Sequence, residues 1–164
     1  MGLEELKEKY EKLLEELEAQ MKELRQNCTE EDCKRWRAKK NGLYWFISSD
    51  GIIGSSREEN DPVDETRYRI GNYYKTREEA KEAIEKMKIY MQLKDLALRL
   101  NEGEKIDWAN SNQYKYNIYY EPGGLATTDA YCYQELGQIY CVNRYFLEVA
   151  EQEIGEKNLK KLFE

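Results

Sequence analysis

The sequence contains no histidine, only two prolines and no long apolar run. The absence of histidine removes the commonest general base, the Ser–His and Cys–His nucleophile pairs and most zinc hydrolase sites. Carboxylate pairs could still act as acids and bases, but we expect no Asp or Glu at the end of an apolar strand, where burial would shift its pKa. We therefore expect a protein that is not an enzyme and that uses neither a cofactor nor a metal ion.

The apolar runs are shorter than the roughly 18 residues that a bilayer-spanning helix needs. The first residues, MGLEELKEKYEKLLEEL, are too acidic and too periodic for a signal peptide. We expect a cytoplasmic protein with no membrane contact. That compartment keeps thiols reduced, so the four cysteines should be free.

Two of the cysteines, Cys132 and Cys141, are equidistant from Leu136-Gly137. A tight hairpin at that point would bring their side chains within disulfide range. Cys28 and Cys33 could join them in a four-thiolate zinc site. Buried free thiols are the simpler expectation, and the other two arrangements stay open.

The chain is acidic, with a net charge of −7. Non-specific affinity for DNA comes from Lys and Arg that displace counterions around phosphates, so an acidic chain is a poor general DNA binder. Its charge is better suited to a basic protein surface. We expect a protein partner and no direct contact with nucleic acid.

Residues 1–41 have the pattern of an N-terminal helical arm. Apolar residues recur there at steps of three and four, which predicts one long amphipathic helix: Leu3, Leu6, Tyr10, Leu13, Leu14, Leu17, Met21 and Leu24. A second, shorter helix should begin at Thr29 and stop at Asn41-Gly42. The stripe needs a partner, either the rest of the chain or the same helix of a second copy. We favour a coiled-coil-like homodimer, although Gln20 interrupts the heptads.

Residues 42–164 predict an α+β domain. From Leu43 the period changes to two, and Asp50-Gly51 lies between two short apolar stretches, which indicates a hairpin with a type I′ turn. RYRIGNYY, residues 67–74, reads as a third strand, and a helix follows from Arg77 to Leu100. A capping box at its start explains Thr76 and Glu79 without a ligand.

The same order of elements then returns. YKYNIYY and LATTDAYCY flank a second turn at EPGG, GQIYCV predicts another strand, and a helix follows that could bend at Gly155. Thr76 aligns with Asn143 as the helix cap. The pattern predicts two βββα repeats, about 42–103 and 104–164, which build either one antiparallel sheet or two small sheets back to back.

The interval from Arg57 to Thr66 is strongly acidic. It is either a solvated loop or a docking surface whose carboxylates imitate phosphates toward a basic groove. Trp36 and Trp108 lie in polar surroundings and could anchor such a contact, because Trp is favoured at binding hot spots. The predicted partner-binding residues are Glu58, Glu59, Asp61, Asp64, Glu65, Trp36 and Trp108.

An alternative site lies on the predicted third strand. Outward aromatic side chains of a sheet can stack on bases, and cations beside them can hold phosphates. Arg67, Arg69 and Tyr74 are the candidate residues for a nucleotide ligand, and cross-strand aromatic packing is the simpler explanation of the tyrosines.

The runs YWFISSDGII, RYRIGNYYKTREEA and QYKYNIYY, with the acidic interval between the first two, resemble a group of small proteins of phages and prophages of Gram-positive bacteria. The resemblance covers roughly Tyr44 to Tyr120. It implies an accessory viral protein of a mobile element, and such proteins often inhibit host defence, as anti-CRISPR proteins do when they bind an effector nuclease. We expect that function, with sequestration of a nucleotide immune signal and a structural, oligomerising role as the alternatives.

Overall fold

The computed structural model describes residues 3–27, 34–130 and 134–163. The chain is α+β, with two separate two-stranded antiparallel sheets. The elements in chain order are α1 (Leu3–Asn27), β1 (Leu43–Ile47), β2 (Ile53–Arg57), α2 (Pro62–Arg69), α3 (Arg77–Leu100), β3 (Lys115–Glu121), β4 (Gly124–Ala130), α4 (Phe146–Glu153) and α5 (Glu156–Lys160).

The N-terminal arm contains the predicted long helix, α1. Its described apolar side chains are 43–69% exposed, namely those of Tyr10, Leu13, Leu14, Leu17 and Met21. The coiled-coil pairing of this arm therefore stays a prediction. The prediction of a second helix in the arm is wrong over residues 34–40, which form an irregular segment that ends in a turn. Residues 28–33 lie outside the described residues.

Strands β1 and β2 confirm the first hairpin, with Leu43 opposite Arg57 and Ile47 opposite Ile53. The type I′ turn is wrong, because only Gly51 has a positive φ, at 78°. The amide of Gly51 donates to the carbonyl of Ser48, so a conventional turn is followed by one left-handed residue. This is the three-residue form of hairpin loop, in which glycine occupies the last position.

The predicted third strand is wrong over residues 67–69, which form the end of α2. The side chain of Asp61 caps this helix by accepting from the amides of Val63 and Asp64, and Pro62 occupies the first turn. A proline at that position loses no hydrogen bond, and its fixed φ suits a helix. Only Tyr74 pairs with β1, in a single bridge to Trp45.

Helix α3 begins at the predicted cap, Thr76, but the returning bond from Glu79 goes to the residue before the cap rather than to the cap itself. The hydroxyl of Thr76 accepts from the amide of Glu79 at 3.1 Å, and the carboxylate of Glu79 accepts from the amide of Lys75 at 2.8 Å. The helix contacts β1 and β2 and also packs on α4. Its buried side chains contribute to a core with β3, α4 and α5, whose members include Ile89, Leu93, Leu96, Ala97, Ile118, Cys141, Phe146, Ala150 and Leu159.

The second half contains the hairpin of β3 and β4, and then Cys141 forms one bridge to Tyr116. Thr76 and Asn143 each lie two residues after the bridge residue, and the Asn143 side chain accepts from the amide of Tyr145 at 2.9 Å. The predicted cap at Asn143 is nevertheless wrong, because the N-cap of α4 is Tyr145 and no side-chain hydrogen bond caps this helix. Each half therefore has a hairpin, a bridge and a helix. The full βββα duplication is not confirmed, because the third strand is one bridge in each half.

The C-terminal helix does break at Gly155, which has a φ of 90° and separates α4 from α5. Cys141 is a buried free thiol. Its suggested partner Cys132 lies outside the described residues, as do Cys28 and Cys33. Within the described ranges, no helix combines the length and the apolar character that crossing a bilayer requires.

Candidate functional site

An irregular stretch, residues 34–40, forms one wall of the candidate site. Its sequence is KRWRAKK, in which five of seven residues are cationic. We call it the basic segment. It ends at Asn41, whose positive φ of 65° turns the chain into β1. The amide of Asn41 donates to the carbonyl of Glu58, which attaches this end of the segment to the first hairpin.

A buried carboxylate, Glu58, lies directly beneath the basic segment. It accepts from the guanidinium of Arg37 at 3.0 and 3.2 Å, from the hydroxyl of Tyr73 at 2.7 Å and from the amide of Asn60 at 2.8 Å. The Arg37 guanidinium, and then the Tyr73 hydroxyl and the Asn60 amide, hold the pKa of Glu58 below its ordinary value against the opposing effect of burial. The carboxylate therefore stays ionised at neutral pH.

A second buried carboxylate, Asp64, lies on the first turn of α2. It accepts from the hydroxyl of Tyr44 at 2.6 Å and from the amide of Glu59 at 2.7 Å. Burial acts to raise the pKa of Asp64, but these hydrogen bonds outweigh it and the pKa lies below the ordinary value. Arg67 donates to the Tyr44 hydroxyl at 2.8 Å and so completes a charged network around that ring.

The aromatic side chains between these carboxylates form a compact stack. The rings of Tyr44 and Tyr73 are parallel, with centroids 3.9 Å apart, and Tyr68 meets Tyr73 edge-on at 5.6 Å. Trp36 leans on Tyr73 at 5.8 Å. Burial and then the hydrogen bond to Glu58 raise the pKa of Tyr73, so its hydroxyl remains a proton donor to that carboxylate.

A surface groove of about 710 Å³ runs along the basic segment. Lys34, Arg35 and Lys39 provide cationic side chains, and Trp36 and Tyr68 provide aromatic ones. The guanidinium carbon of Arg35 lies 4.1 Å from the centroid of the Tyr68 ring, within the range of a cation–π contact. We call this surface the basic groove.

The basic groove is not among the sites that the sequence pattern predicts. Its signal was present as the run KRWRAKK, but the acidic composition of the whole chain and the proposed helix at Thr29 concealed it. Tyr68 was assigned to a strand, so its position beside Arg35 could not be anticipated. The missing information was the α2 helix, which turns the Tyr68 ring toward the segment.

The structure divides the predicted partner-binding residues. Glu58 and Asp64 are buried, which corrects their assignment to a docking surface and also the expectation that no carboxylate ends a strand in a buried position. The Asp61 side chain caps α2 by accepting hydrogen bonds from two backbone amides. Glu59 and Glu65 are exposed, although Glu65 also accepts from Arg37 at 2.7 Å.

The two predicted tryptophan anchors lie in different surroundings. Trp36 is 38% exposed at the basic groove. Trp108 packs edge-on against Tyr140, with ring centroids 4.9 Å apart, and the ammonium of Lys115 lies 5.5 Å from its ring. The contacts of Trp108 are therefore with the second half of the chain, whereas Trp36 contacts the first.

The alternative ligand residues do not form one recognition surface. The guanidinium of Arg67 lies 3.6 Å from the Phe46 ring centroid and also donates to Tyr44. Tyr74 is committed by its backbone to the bridge with Trp45, and burial raises the pKa of its hydroxyl. Arg69 is exposed at the end of α2. Two of the three residues therefore serve internal contacts.

The two buried carboxylates, Glu58 and Asp64, serve internal contacts. Glu58 and Asp64 are saturated with hydrogen-bond donors and have lowered pKa values, whereas a general acid at neutral pH needs a raised one. Across residues 3–27, 34–130 and 134–163, no group of three or more His, Cys, Asp or Glu is placed to hold a metal ion.

No protein family, curated protein or solved structure matches the chain.

Proposed function

We propose that this chain is a non-enzymatic binding protein of a phage or other mobile element that inhibits host antiviral defence, with a CRISPR effector nuclease as its partner in the bacterial cytoplasm. The net charge of −7 supports a basic partner surface, because complementary charge steers association and disfavours wrong partners. The resemblance between Tyr44 and Tyr120 supports the phage context.

The observation that carries the proposal is the exposed pair Glu59 and Glu65, one before α2 and the other within it. Asp61 fixes the start of the helix, and Arg37 holds Glu65 in place. The amide of Glu59 is bound by Asp64, so its backbone is also fixed. These carboxylates are therefore presented on an ordered frame, which lowers the entropy that docking must overcome. We call Glu59 and Glu65 the acidic edge.

The structure changes how this surface should be tested. Reversing the charge of Asp61 or Asp64 would remove a helix cap or leave Tyr44 without its acceptor, so lost activity would report misfolding. The informative variant is Glu59→Lys with Glu65→Lys, and thermal unfolding verifies its fold because Glu65 also pairs with Arg37. Its control is Glu121→Lys with Glu148→Lys, which changes the net charge equally at two other exposed positions.

The assay is inhibition of target cleavage by purified, guide-loaded CRISPR effector nucleases of several types. We expect the acidic-edge variant to lose inhibition of the susceptible nuclease by tenfold or more, with an effect that shrinks as salt rises because exposed charges are screened. The control should inhibit like the parent chain. Equal inhibition by both variants would remove the acidic edge from the account.

The exposed stripe of α1 favours a second proposal, in which the arm pairs with the arm of another copy. An isolated helix gains too little from its own propensity to persist in water, so its apolar face needs a partner. Self-association would also present two acidic edges to a multisubunit target. Light scattering distinguishes a dimer from the large assemblies that a structural phage component would form.

A further inference from the structure

The basic groove adjoins the acidic edge through the ion pair of Arg37 with Glu65, but its remaining cations lie outside that edge. Its cations are spaced along the seven residues of the basic segment, which belongs to neither a helix nor a strand. Arg37 is neutralised by Glu58 and Glu65. Lys39 and Lys40 are exposed, and Lys39 lines the groove together with Lys34 and Arg35.

The basic segment is held in place by contacts with α2 and with the residues that follow this helix. The hydroxyl of Tyr68 donates to the carbonyl of Arg35 at 2.7 Å, and the amide of Ala38 donates to the Tyr73 hydroxyl at 3.2 Å. Arg35 also donates to the carbonyl of Tyr68. The cationic row is therefore preorganised, and a ligand does not have to order it.

Aromatic side chains lie among these cations and could provide a second kind of contact, the stacking of bases. Trp36 is 38% exposed in the middle of the segment. The guanidinium of Arg35 lies over the ring of Tyr68. A cationic groove that tracks a phosphate backbone, with aromatic rings on which bases stack, is the arrangement by which proteins hold single strands without reading their sequence. We propose that the basic groove binds single-stranded nucleic acid.

The observations favour a strand over a duplex or a free nucleotide. A duplex hides its bases, so Trp36 would contribute little, and the acidic remainder of the chain would face a broad phosphate surface. A free nucleotide would use one phosphate-binding point, whereas the cations here extend along the chain. The proposal departs from the expectation of no direct nucleic-acid contact, because the local charge of residues 34–40 opposes the charge of the whole chain.

The experiment measures fluorescence anisotropy of a labelled 15-nucleotide oligothymidylate titrated with the full chain at 50 and 200 mM salt. We expect saturable binding at the lower salt that weakens at least fivefold at the higher one. The charge variant is Lys39→Glu with Lys40→Glu, and its control is Lys105→Glu with Lys157→Glu. The first pair should weaken binding tenfold or more and flatten the salt dependence, and the control should change affinity less than twofold.

A second pair of variants tests stacking. Trp36→Leu should weaken binding about fivefold or more and leave the salt slope unchanged, and Trp36→Phe should restore most of the affinity because it keeps a ring. Thermal unfolding of each variant verifies that the fold is intact. Absence of binding by the parent chain, equal loss in the Lys105/Lys157 control, or equal weakening by Trp36→Leu and Trp36→Phe would overturn the proposal.

Competition by unlabelled ligands then tests the ligand class. Unlabelled oligothymidylate should displace the labelled strand, while thymidine monophosphate at a hundredfold higher concentration and a 15-base-pair duplex at equal concentration should not. Displacement by the mononucleotide would show that the groove is a nucleotide site. Displacement by the duplex would show that it contacts phosphates in general. Either result contradicts the assignment.

Discussion

The guanidinium of Arg37 lies against the carboxylate of Glu58, with its Nε 3.0 Å from one oxygen and its Nη2 3.2 Å from the other. The Glu58 side chain is fully buried, while that of Arg37 is 30% exposed. The pair connects the basic segment to the end of β2. It therefore determines both the position of the basic groove and the orientation of Glu65.

Removal of the cation from this pair should destabilise the fold. Arg37→Met leaves a buried carboxylate without its main partner, and we expect the free energy of unfolding to fall by about 2–3 kcal/mol, at the lower end for buried pairs because Arg37 is partly exposed. Urea unfolding measures the loss. Arg99→Met, which breaks an ion pair with Glu153 between two exposed side chains, is the control and should cost less than about 1 kcal/mol. Equal losses would mean that Glu58 does not depend on Arg37.

The lowered pKa of Glu58 predicts how stability depends on pH. Because the folded form binds this proton less readily than the unfolded chain, the contribution is complete above the ordinary value of 4.5 and is lost as pH falls through the lowered pKa. We expect the free energy of unfolding to decrease as pH falls below about 4.5. Glu58→Gln should reduce that slope, and Asp64, whose pKa is also lowered, should preserve part of it. An unchanged slope in the variant would contradict the assignment.

The Asp61 cap gives a third prediction. Asp61→Ala removes the acceptor for two amides at the start of α2 and should lower stability by about 1 kcal/mol, whereas Asp61→Asn should lose a few tenths. Thermal unfolding compares the two variants. If alanine and asparagine behave alike, the side-chain oxygen does not cap the helix. This loss also shows why Asp61 is unsuitable for testing the acidic edge.

The α1 stripe predicts self-association. Leu13→Gln with Leu17→Gln keeps good helix formers but removes two exposed apolar contacts, and we expect light scattering to report a change from dimer to monomer together with lower helix content. The matched control, Glu15→Gln with Glu18→Gln, changes the opposite face and should remain dimeric. A monomeric parent chain would show that the stripe is not paired in this way.

The sequence predicts local features better than it predicts how the basic segment, the first hairpin and α2 pack together. The hairpins, the cap at Thr76 and the break at Gly155 depend on residues close together in the chain, so turn and capping rules located them. Helix α2 was missed because the alternation in RYRIGNYY was given more weight than Asp61-Pro62, a helix-start signal.

The candidate site was harder to anticipate than the elements around it. The burial of Glu58 depends on Arg37 and Tyr73, which come from segments on either side of it in the chain. The acidic interval from Arg57 to Thr66 therefore has the pattern of one loop in the sequence. In the fold, some of its carboxylates are buried and others are exposed. Only the five cations of residues 34–40 carried a local signal that a shorter charge window would have found.

The most direct test of the central claim is a titration of the chain against a fixed concentration of a susceptible guide-loaded CRISPR effector nuclease, with target cleavage as the measured signal. If the chain is a stoichiometric inhibitor, cleavage should fall linearly and reach its minimum near an equimolar ratio. With the Glu59→Lys/Glu65→Lys variant, cleavage should not reach that minimum at an equimolar ratio. Full cleavage by every nuclease type at a large excess of the chain would contradict the account.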